Sequence, residues 1–293
     1  MKKYKIIEVT EQYEIEQLGT KEKFWVYRDD KKSLFKIGRE NTRENFAEKF
    51  IYEVGKLIEV DLVKYDFAKY KEKYGVLSPL FLKEDERLVH GNELLAKVIE
   101  NYPKEQFFGV REYKLTTTLS LIQKLGEKYN KNFLYDFISY IVFDCLTANQ
   151  DRHHENWGFV VSPLKRDIIL SPSYDHAAGV GCRVNTEEIK KRFRTKDKRY
   201  SIEAFCQKAK TPFYKNKKRV LTIEAVKICS EFNKSAVIEH IEKFNELLDF
   251  SKIDNILTKI PKEFYDDEIE LEFSKKILEI NNKRLKEIIK DIK

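Results

Sequence analysis

Asn149-Gln150-Asp151-Arg152-His153-His154-Glu155-Asn156-Trp157-Gly158-Phe159 is the densest run of chemistry-bearing side chains in this 293-residue chain. Upstream, Phe133, Phe137, Ile138, Ile141, Val142, Cys145 and Leu146 recur at helical spacing and predict a buried helix over Phe133–Leu146. Thr147-Ala148-Asn149-Gln150 stops that pattern. Downstream, Trp157–Val161 and Asp167–Leu170 read as two strands around Ser162-Pro163-Leu164-Lys165-Arg166. Ser171-Pro172-Ser173-Tyr174-Asp175 then places a carboxylate at a strand end. A polar loop fixed between rigid elements is where reactive groups tend to sit.

Working towards the N-terminus, Phe24-Trp25-Val26-Tyr27 and Ser33-Leu34-Phe35-Lys36-Ile37 flank the turn Arg28-Asp29-Asp30-Lys31-Lys32 and predict a hairpin. A helix follows, with Asn41 and Thr42 as cap candidates and Phe46, Phe50, Val54 and Leu57 on one face. Extended segments are expected near Leu62–Phe67 and Gly75–Leu82, with Pro79 close to the end of this β-rich part. From about Asn92 the chain turns helical, and the last third reads as helices over Ile223–Phe232, Ala236–Leu247 and about Ile269–Ile292. The fold class expected is α+β and two-lobed: a β-rich lobe over residues 1–83 with one main helix, and a larger, mostly helical lobe over 84–293.

Composition excludes several alternatives. No window approaches about 18 uninterrupted apolar residues, so no membrane helix is expected. Met1-Lys2-Lys3-Tyr4-Lys5 has no apolar signal core after it, and a cytoplasmic location is the expectation. Cys145, Cys182, Cys206 and Cys229 are scattered without a CxxC pair, which fits neither a disulfide framework nor a structural zinc site. The net charge is +7, with basic residues clustered over Lys190–Lys218. Aromatics interleave only loosely there, so a solvated helix face with a loop is expected in place of a nucleic-acid platform.

Phosphoryl transfer requires a carboxylate for the attacking hydroxyl, a second oxygen ligand from the same loop, and a further carboxylate for Mg²⁺. Protein kinases space the first two as Asp-x-x-x-x-Asn, followed by a short hairpin and the metal carboxylate. Asp151 and Asn156 have this spacing, and Asp175 follows the hairpin. Asn156 and Asp175 would give Mg²⁺ the hard oxygen ligands it prefers. Lys36, inside the apolar run Leu34-Phe35-Lys36-Ile37, needs a counter-charge, and the next helix offers Glu44, Glu48 and Glu53. The pattern alone leaves Glu48 neither clearly core nor clearly solvent.

Asn149-x-Asp151-Arg152-His153-x-x-Asn156-Trp157-Gly158-Phe159 with Leu170-Ser171-Pro172-x-Tyr174-Asp175 resembles the HipA-like serine/threonine kinases, and among them the short, single-module forms. The resemblance covers roughly residues 20–180. It implies a two-lobed, protein-kinase-like fold that uses ATP and Mg²⁺ to phosphorylate a Ser or Thr hydroxyl of a protein, itself included. Asp151 would orient or deprotonate the acceptor. Asn156 and Asp175 would hold Mg²⁺, and His153 would support the loop through hydrogen bonds. Lys36 would touch the phosphates, anchored by Glu48. The backbone of Pro79-Leu80-Phe81-Leu82 would read adenine, so Phe81 and Leu82 join the nucleotide site. Gln17-Leu18-Gly19-Thr20-Lys21 is the segment available to cover the phosphates, with Gly19 and Thr20 nearest them. It departs from the family pattern in having one glycine. The resemblance would also bring an antitoxin partner of the toxin–antitoxin type. The chain lacks room for the extra N-terminal domain of the long members, which weakens the carry-over of their antitoxin and DNA partners.

Plainer readings stand beside these. A lone Asp is usually a turn residue, and Lys36 could be an edge-strand lysine that snorkels. His153-His154-Glu155 lacks the HExxH spacing of a zinc hydrolase, which leaves His154 and Glu155 as exposed loop residues. Trp157 and Phe159 read as core. Gly179 and Gly181 read either as a source of mobility after Asp175 or as ordinary turn glycines. Thr20 and Ser33 are self-targets by position alone. A small-molecule or lipid kinase, or a nucleotide-binding module with little turnover, would share the same residues.

Overall fold

The computed structural model describes residues 2–15, 22–28 and 31–292. The chain enters through β1 (Ile7–Val9), β2 (Glu14–Ile15), β3 (Lys23–Arg28) and β4 (Lys31–Lys36). It continues as α1 (Glu44–Leu57), β5 (Asp66–Tyr70) and β6 (Lys73–Pro79). These strands form one sheet in the order β1-β5-β6-β4-β3-β2, with β1 parallel to β5 and the other pairs antiparallel. Phe24 lies opposite Phe35 in the ladder, rings 5.1 Å apart, and both join Ile7, Val9, Val26, Ala68 and Leu77 in a small core. Side chains alternate along a strand, so Leu34 and Lys36 take the opposite face from Phe35. That alternation aims Lys36 at the cleft.

The helical part follows: β7 (Arg87–His90), α2 (Gly91–Leu95), α3 (Leu115–Tyr129), α4 (Phe133–Leu146), β8 (Gly158–Ser162), β9 (Asp167–Leu170), α5 (Thr186–Arg194), α6 (Ile202–Lys208), β10 (Lys210–Lys215), β11 (Lys218–Leu221), α7 (Thr222–Phe232), α8 (Lys234–Leu247), α9 (Phe250–Thr258) and α10 (Glu268–Ile292). The class is α+β, as expected. The main core is continuous: Phe46, Phe50 and Val54 of α1 and Phe67 and Val76 of the sheet belong to the same cluster as Phe137, Phe143 and Leu146 of α4. The sheet is also joined to the segment between α9 and α10. Phe67 stacks on Phe264 at 3.8 Å, Tyr4 N–H donates to the Lys259 carbonyl at 2.7 Å, and Lys3 Nζ reaches the Ile260 carbonyl at 3.0 Å.

Several expectations are corrected in detail. Asn41 and Thr42 do not cap α1. Its N-cap is Arg43, without a side-chain cap bond, while Thr42 Oγ1 donates to the Arg39 carbonyl and Asn41 turns the chain at φ 57°. Leu62 lies outside β5 and forms a parallel bridge to Ser173. The β8–β9 hairpin gains β7 as a third strand. Ser33 is buried within β4, which removes it as an accessible acceptor. The basic stretch holds α5, whose one buried residue is Ile189, and the β10–β11 hairpin, consistent with a solvated face. The four cysteines are buried thiols. Among the described residues no helix is long and apolar enough to cross a membrane.

Phe143 is fully buried between His176 and Phe244. Phe143→Ala should cost about 3–5 kcal/mol, read as a lower denaturation midpoint at an unchanged m-value. His240 on α8 is buried against the Tyr135 carbonyl, and burial lowers its pKa although that hydrogen bond opposes the shift. The unfolded imidazole takes a proton near pH 6.5 and the folded one only below that. Stability from this group is therefore full above about pH 6.5 and falls as the pH drops through the folded pKa. Urea titrations should show a shallower loss of stability below pH 6.5 for His240→Gln than for the parent.

Candidate active site

Burial of one guanidinium organises the polar loop. Arg152 is 1% exposed. Its Nε and Nη2 donate to both carboxylate oxygens of Asp144 on α4, each at 2.8 Å, and its Nη1 donates to the Asn156 carbonyl at 2.7 Å. Nη2 also lies 3.1 Å from His176 Nε2. Asn149 Nδ2 adds a bond to Asp144 at 2.8 Å. Arg152 thus ties together helix, loop and the segment carrying Asp175. Burial and the Arg152 charge hold His176 neutral, its pKa far below the usual imidazole range.

The far half of the loop is fixed from the other side. Asn156 Nδ2 donates to the Asp151 carbonyl at 2.6 Å, closing the turn between them and leaving the amide oxygen for another partner. Glu155 N–H donates to His153 Nδ1 at 3.2 Å, so His153 does brace the loop. His90 Nδ1 lies 2.9 Å from the Glu155 carbonyl and 3.0 Å from the Tyr174 hydroxyl. Trp157 and Phe159 are core, as expected. His154 is not exposed: it is buried with Nδ1 at 2.7 Å from the Tyr102 hydroxyl, because the loop folds back over α2, and Glu155 is half-buried.

The segment before Asp175 is strapped to the chain after α1. Ser173 N–H donates to the Asp61 carbonyl at 2.9 Å and Val63 N–H to the Ser173 carbonyl at 3.0 Å. Asp175 adopts φ 56°, the left-handed region a non-glycine residue enters only when its surroundings impose it. Its N–H donates to the Tyr65 hydroxyl at 3.2 Å, and the next N–H, of His176, donates to Glu48 Oε2 at 3.0 Å. Gly179 and Gly181 lie in tight packing, since an added Cβ would meet Ile51 at 2.4 Å and Phe273 at 2.5 Å. They are packing glycines, and Gly181 also supplies φ 68°.

Lys36 Nζ meets Glu48 Oε1 at 2.7 Å and Asp175 Oδ1 at 3.4 Å. Lys36 and Glu48 are both buried, which settles the partner that the sequence pattern left open. Burial opposes the lysine charge, but the carboxylates of Asp175 and Glu48 outweigh it and hold its pKa well above the usual value. Lys36, Asp151, Asn156 and Asp175 line one cleft of about 680 Å³, whose apolar end includes Leu34, Val63, Phe81 and Leu82. Gly19 and Thr20 lie outside the described residues.

Two residues near the cleft were not singled out by sequence. Arg39 and Arg183 both pair with the buried Glu44, at 2.6 and 3.0 Å, and Arg183 Nη2 also lies 3.6 Å from Asp151 Oδ2. Glu44 was one of three candidate partners for Lys36. The two arginines gave no periodic or motif signal.

Among the described residues no group of three His, Cys, Asp or Glu side chains forms a protein-only metal cage. Asp175 and Asn156, which both line the cleft, offer a carboxylate and an amide oxygen, a hard and incomplete oxygen set that suits Mg²⁺ completed by phosphates and water.

A curled sheet whose lysine is paired with a glutamate of the adjoining helix, set over a helical body with an Asp-x-x-x-x-Asn loop and a separate aspartate, is the arrangement of a two-lobed kinase fold. Residues 17–238 match the HipA-like C-terminal domain, and the chain belongs to that family. The Helicobacter pylori proinflammatory kinase CtkA superposes with a TM-score of 0.74 at 19% identity, over 97% of this chain and all of that one. A Shewanella oneidensis HipA, solved in a toxin–antitoxin complex with HipB and operator DNA, superposes at 0.57 and 11% identity over 96% of this chain and 68% of that one. At these identities the likeness is one of fold. No curated protein matches the sequence.

Arg152→Met would leave Asp144 buried and unpaired, and should cost about 3–5 kcal/mol in chemical denaturation. Adding Asp144→Leu should recover part of that loss.

Proposed function

We propose that this HipA-like kinase transfers the γ-phosphate of ATP, with Mg²⁺, to a Ser or Thr hydroxyl of a protein. The observation that carries the reading is the convergence on one cleft of Asp151, Asn156, Asp175 and a Lys36 held by Glu48. Adenine would lie at the apolar end, against Leu34 and Phe81, with the backbone of residues 79–82 at its edge. Lys36 would bind the phosphates as a fixed positive charge, since its own counter-ion, Glu48, is buried behind it. Asp175 and the Asn156 oxygen would hold Mg²⁺, which would neutralise charge between the phosphates. Asp151, 22% exposed at its side chain, would accept a hydrogen bond from the acceptor hydroxyl and take its proton as the new O–P bond forms. Little further chemistry is required, because phosphoryl transfer is accelerated mainly by positioning and charge stabilisation.

An antitoxin partner and a cytoplasmic site of action belong to the same proposal. The likeness to a HipA seen with HipB and operator DNA supports the former. The departure of the Gly19 segment from a glycine-rich loop keeps a low-turnover nucleotide-binding module as the second reading.

Transfer of label from γ-labelled ATP separates these readings. Asp151→Ala should lower protein labelling by about 10²–10⁴-fold, with binding of a fluorescent ATP analogue retained. Asp175→Ala should weaken Mg·ATP binding itself. Labelling unchanged in Asp151→Ala would refute phosphoryl transfer at this site. Label found only in small molecules would move the acceptor class.

A further inference from the structure

Arg43 and Glu44, consecutive residues at the start of α1, grip the chain beyond Asp175. Arg43 Nη2 donates to the Gly181 carbonyl at 3.0 Å, Arg43 N–H to the Cys182 carbonyl at 2.9 Å, and Arg43 Nη1 to the Val184 carbonyl at 2.9 Å. The carbonyls on both sides of Arg183 are thus held by one residue. Glu270 of α10 backs Arg43 at 3.3 Å. Glu44, 1% exposed, then takes the Arg183 side chain itself, accepting from Nε at 3.1 Å and lying 3.0 Å from Nη2. The same carboxylate takes Arg39, from Nη1 at 2.6 Å and from its backbone N–H at 3.2 Å.

The result is a guanidinium fixed in backbone and side chain, yet 45% exposed and 3.6 Å from the Asp151 carboxylate. Arg183 lines the groove of about 340 Å³ beside the nucleotide cleft, and Asp151 and His153 line both. That groove is where an acceptor side chain would approach Asp151. A cation held there by a buried carboxylate needs no reorganisation when charge develops next to it.

We infer that Arg183 is a built-in arginine for the transferring phosphoryl group, and that Glu44 is the positioning residue that holds it. The inference rests on the kinase reading of the preceding subsection. In the step, the acceptor oxygen bonds to the γ-phosphorus while the bond to the β–γ bridging oxygen breaks. The hydroxyl proton passes to Asp151, and ADP leaves with the bond electrons. Negative charge spreads over the three equatorial oxygens at that moment, and a planar, multiply donating guanidinium suits them. Before the acceptor arrives, Arg183 and Asp151 attract each other across 3.6 Å. The incoming hydroxyl takes over Asp151 and leaves the Arg183 Nη2 donor that faced it for the phosphoryl group. An arginine supplied this way offers charge stabilisation that the single-glycine segment around Gly19 does not supply through a glycine-rich loop.

The experiment compares the parent with Arg183→Met, Arg183→Lys, Glu44→Gln and Asp151→Ala. It measures transfer from γ-labelled ATP to the chain itself, to casein and to water, together with binding of a fluorescent ATP analogue with Mg²⁺. Arg183→Met should lower kcat by about 10²–10³-fold, leave the KM for ATP within about threefold, and keep the parent melting temperature, since the side chain is half exposed. Arg183→Lys should recover no more than about a tenth of the loss, because one ammonium does not replace the planar fork. Glu44→Gln should lower kcat in the same direction by a smaller factor. A kcat for Arg183→Met within about threefold of the parent, with Asp151→Ala inactive, overturns the role of Arg183 and leaves the kinase reading standing. Loss of analogue binding in Arg183→Met in step with kcat also overturns it, because the arginine would then hold ground-state phosphates. A parent that passes phosphate to none of the three acceptors overturns the kinase reading and this inference with it.

Discussion

The buried ion pair between Arg152 and Asp144 is the interaction on which the site depends. Two charges removed from water are tolerated only when their remaining donors and acceptors are satisfied. Here they are: Asp144 takes two bonds from Arg152 and one from Asn149, while Arg152 also bonds the Asn156 carbonyl and reaches His176. Each partner belongs to a different piece of the site. A helix through the main core, a loop carrying Asp151 and Asn156, and the irregular segment after β9 that carries Asp175 are therefore fixed to one guanidinium. The left-handed backbone at Asp175 persists because His176 on one side and the Ser173 bridge on the other leave it no alternative.

Lys36 is the counterpart in the sheet. Its alternation with Phe35 turns it to the cleft, and Glu48 meets it from α1. The same Glu48 accepts the His176 N–H, so the sheet lobe and the loop system share one carboxylate. Glu44, one helical turn earlier, links to Arg39 and Arg183. Two glutamates on one helix face thus register the two lobes against each other.

Much of this was legible in the sequence. The Asp-x-x-x-x-Asn spacing, the hairpin after it and the carboxylate at Asp175 are local patterns, and local patterns survive in one dimension. The helices α4, α7, α8 and α10 announced themselves through apolar faces. What escaped notice depends on contacts distant in sequence. β7 exists because Val89 pairs with Phe159, some 70 positions away, and four residues with polar ends give no warning of it. His154 looked exposed because it is a histidine in a polar loop, and it is buried because Tyr102 and Tyr113 lie over it. Glu48 was undecidable by helical phase, since its burial comes from Lys36 and His176. Arg183 has no periodic neighbours at all. α5 was read only as a solvated face, without bounds, because with Ile189 its one buried residue it has no apolar stripe.

The rear junction has a mechanical consequence. Phe67 against Phe264, Tyr4 bonded to Lys259 and Lys3 reaching Ile260 stitch the sheet to the helical body at residues that do not line the cleft. A clamshell sewn along its spine gapes only at the front. Under the proposed function, admission of a nucleotide and escape of its product would involve small swings about that seam, and the seam itself would set how wide the jaws can part.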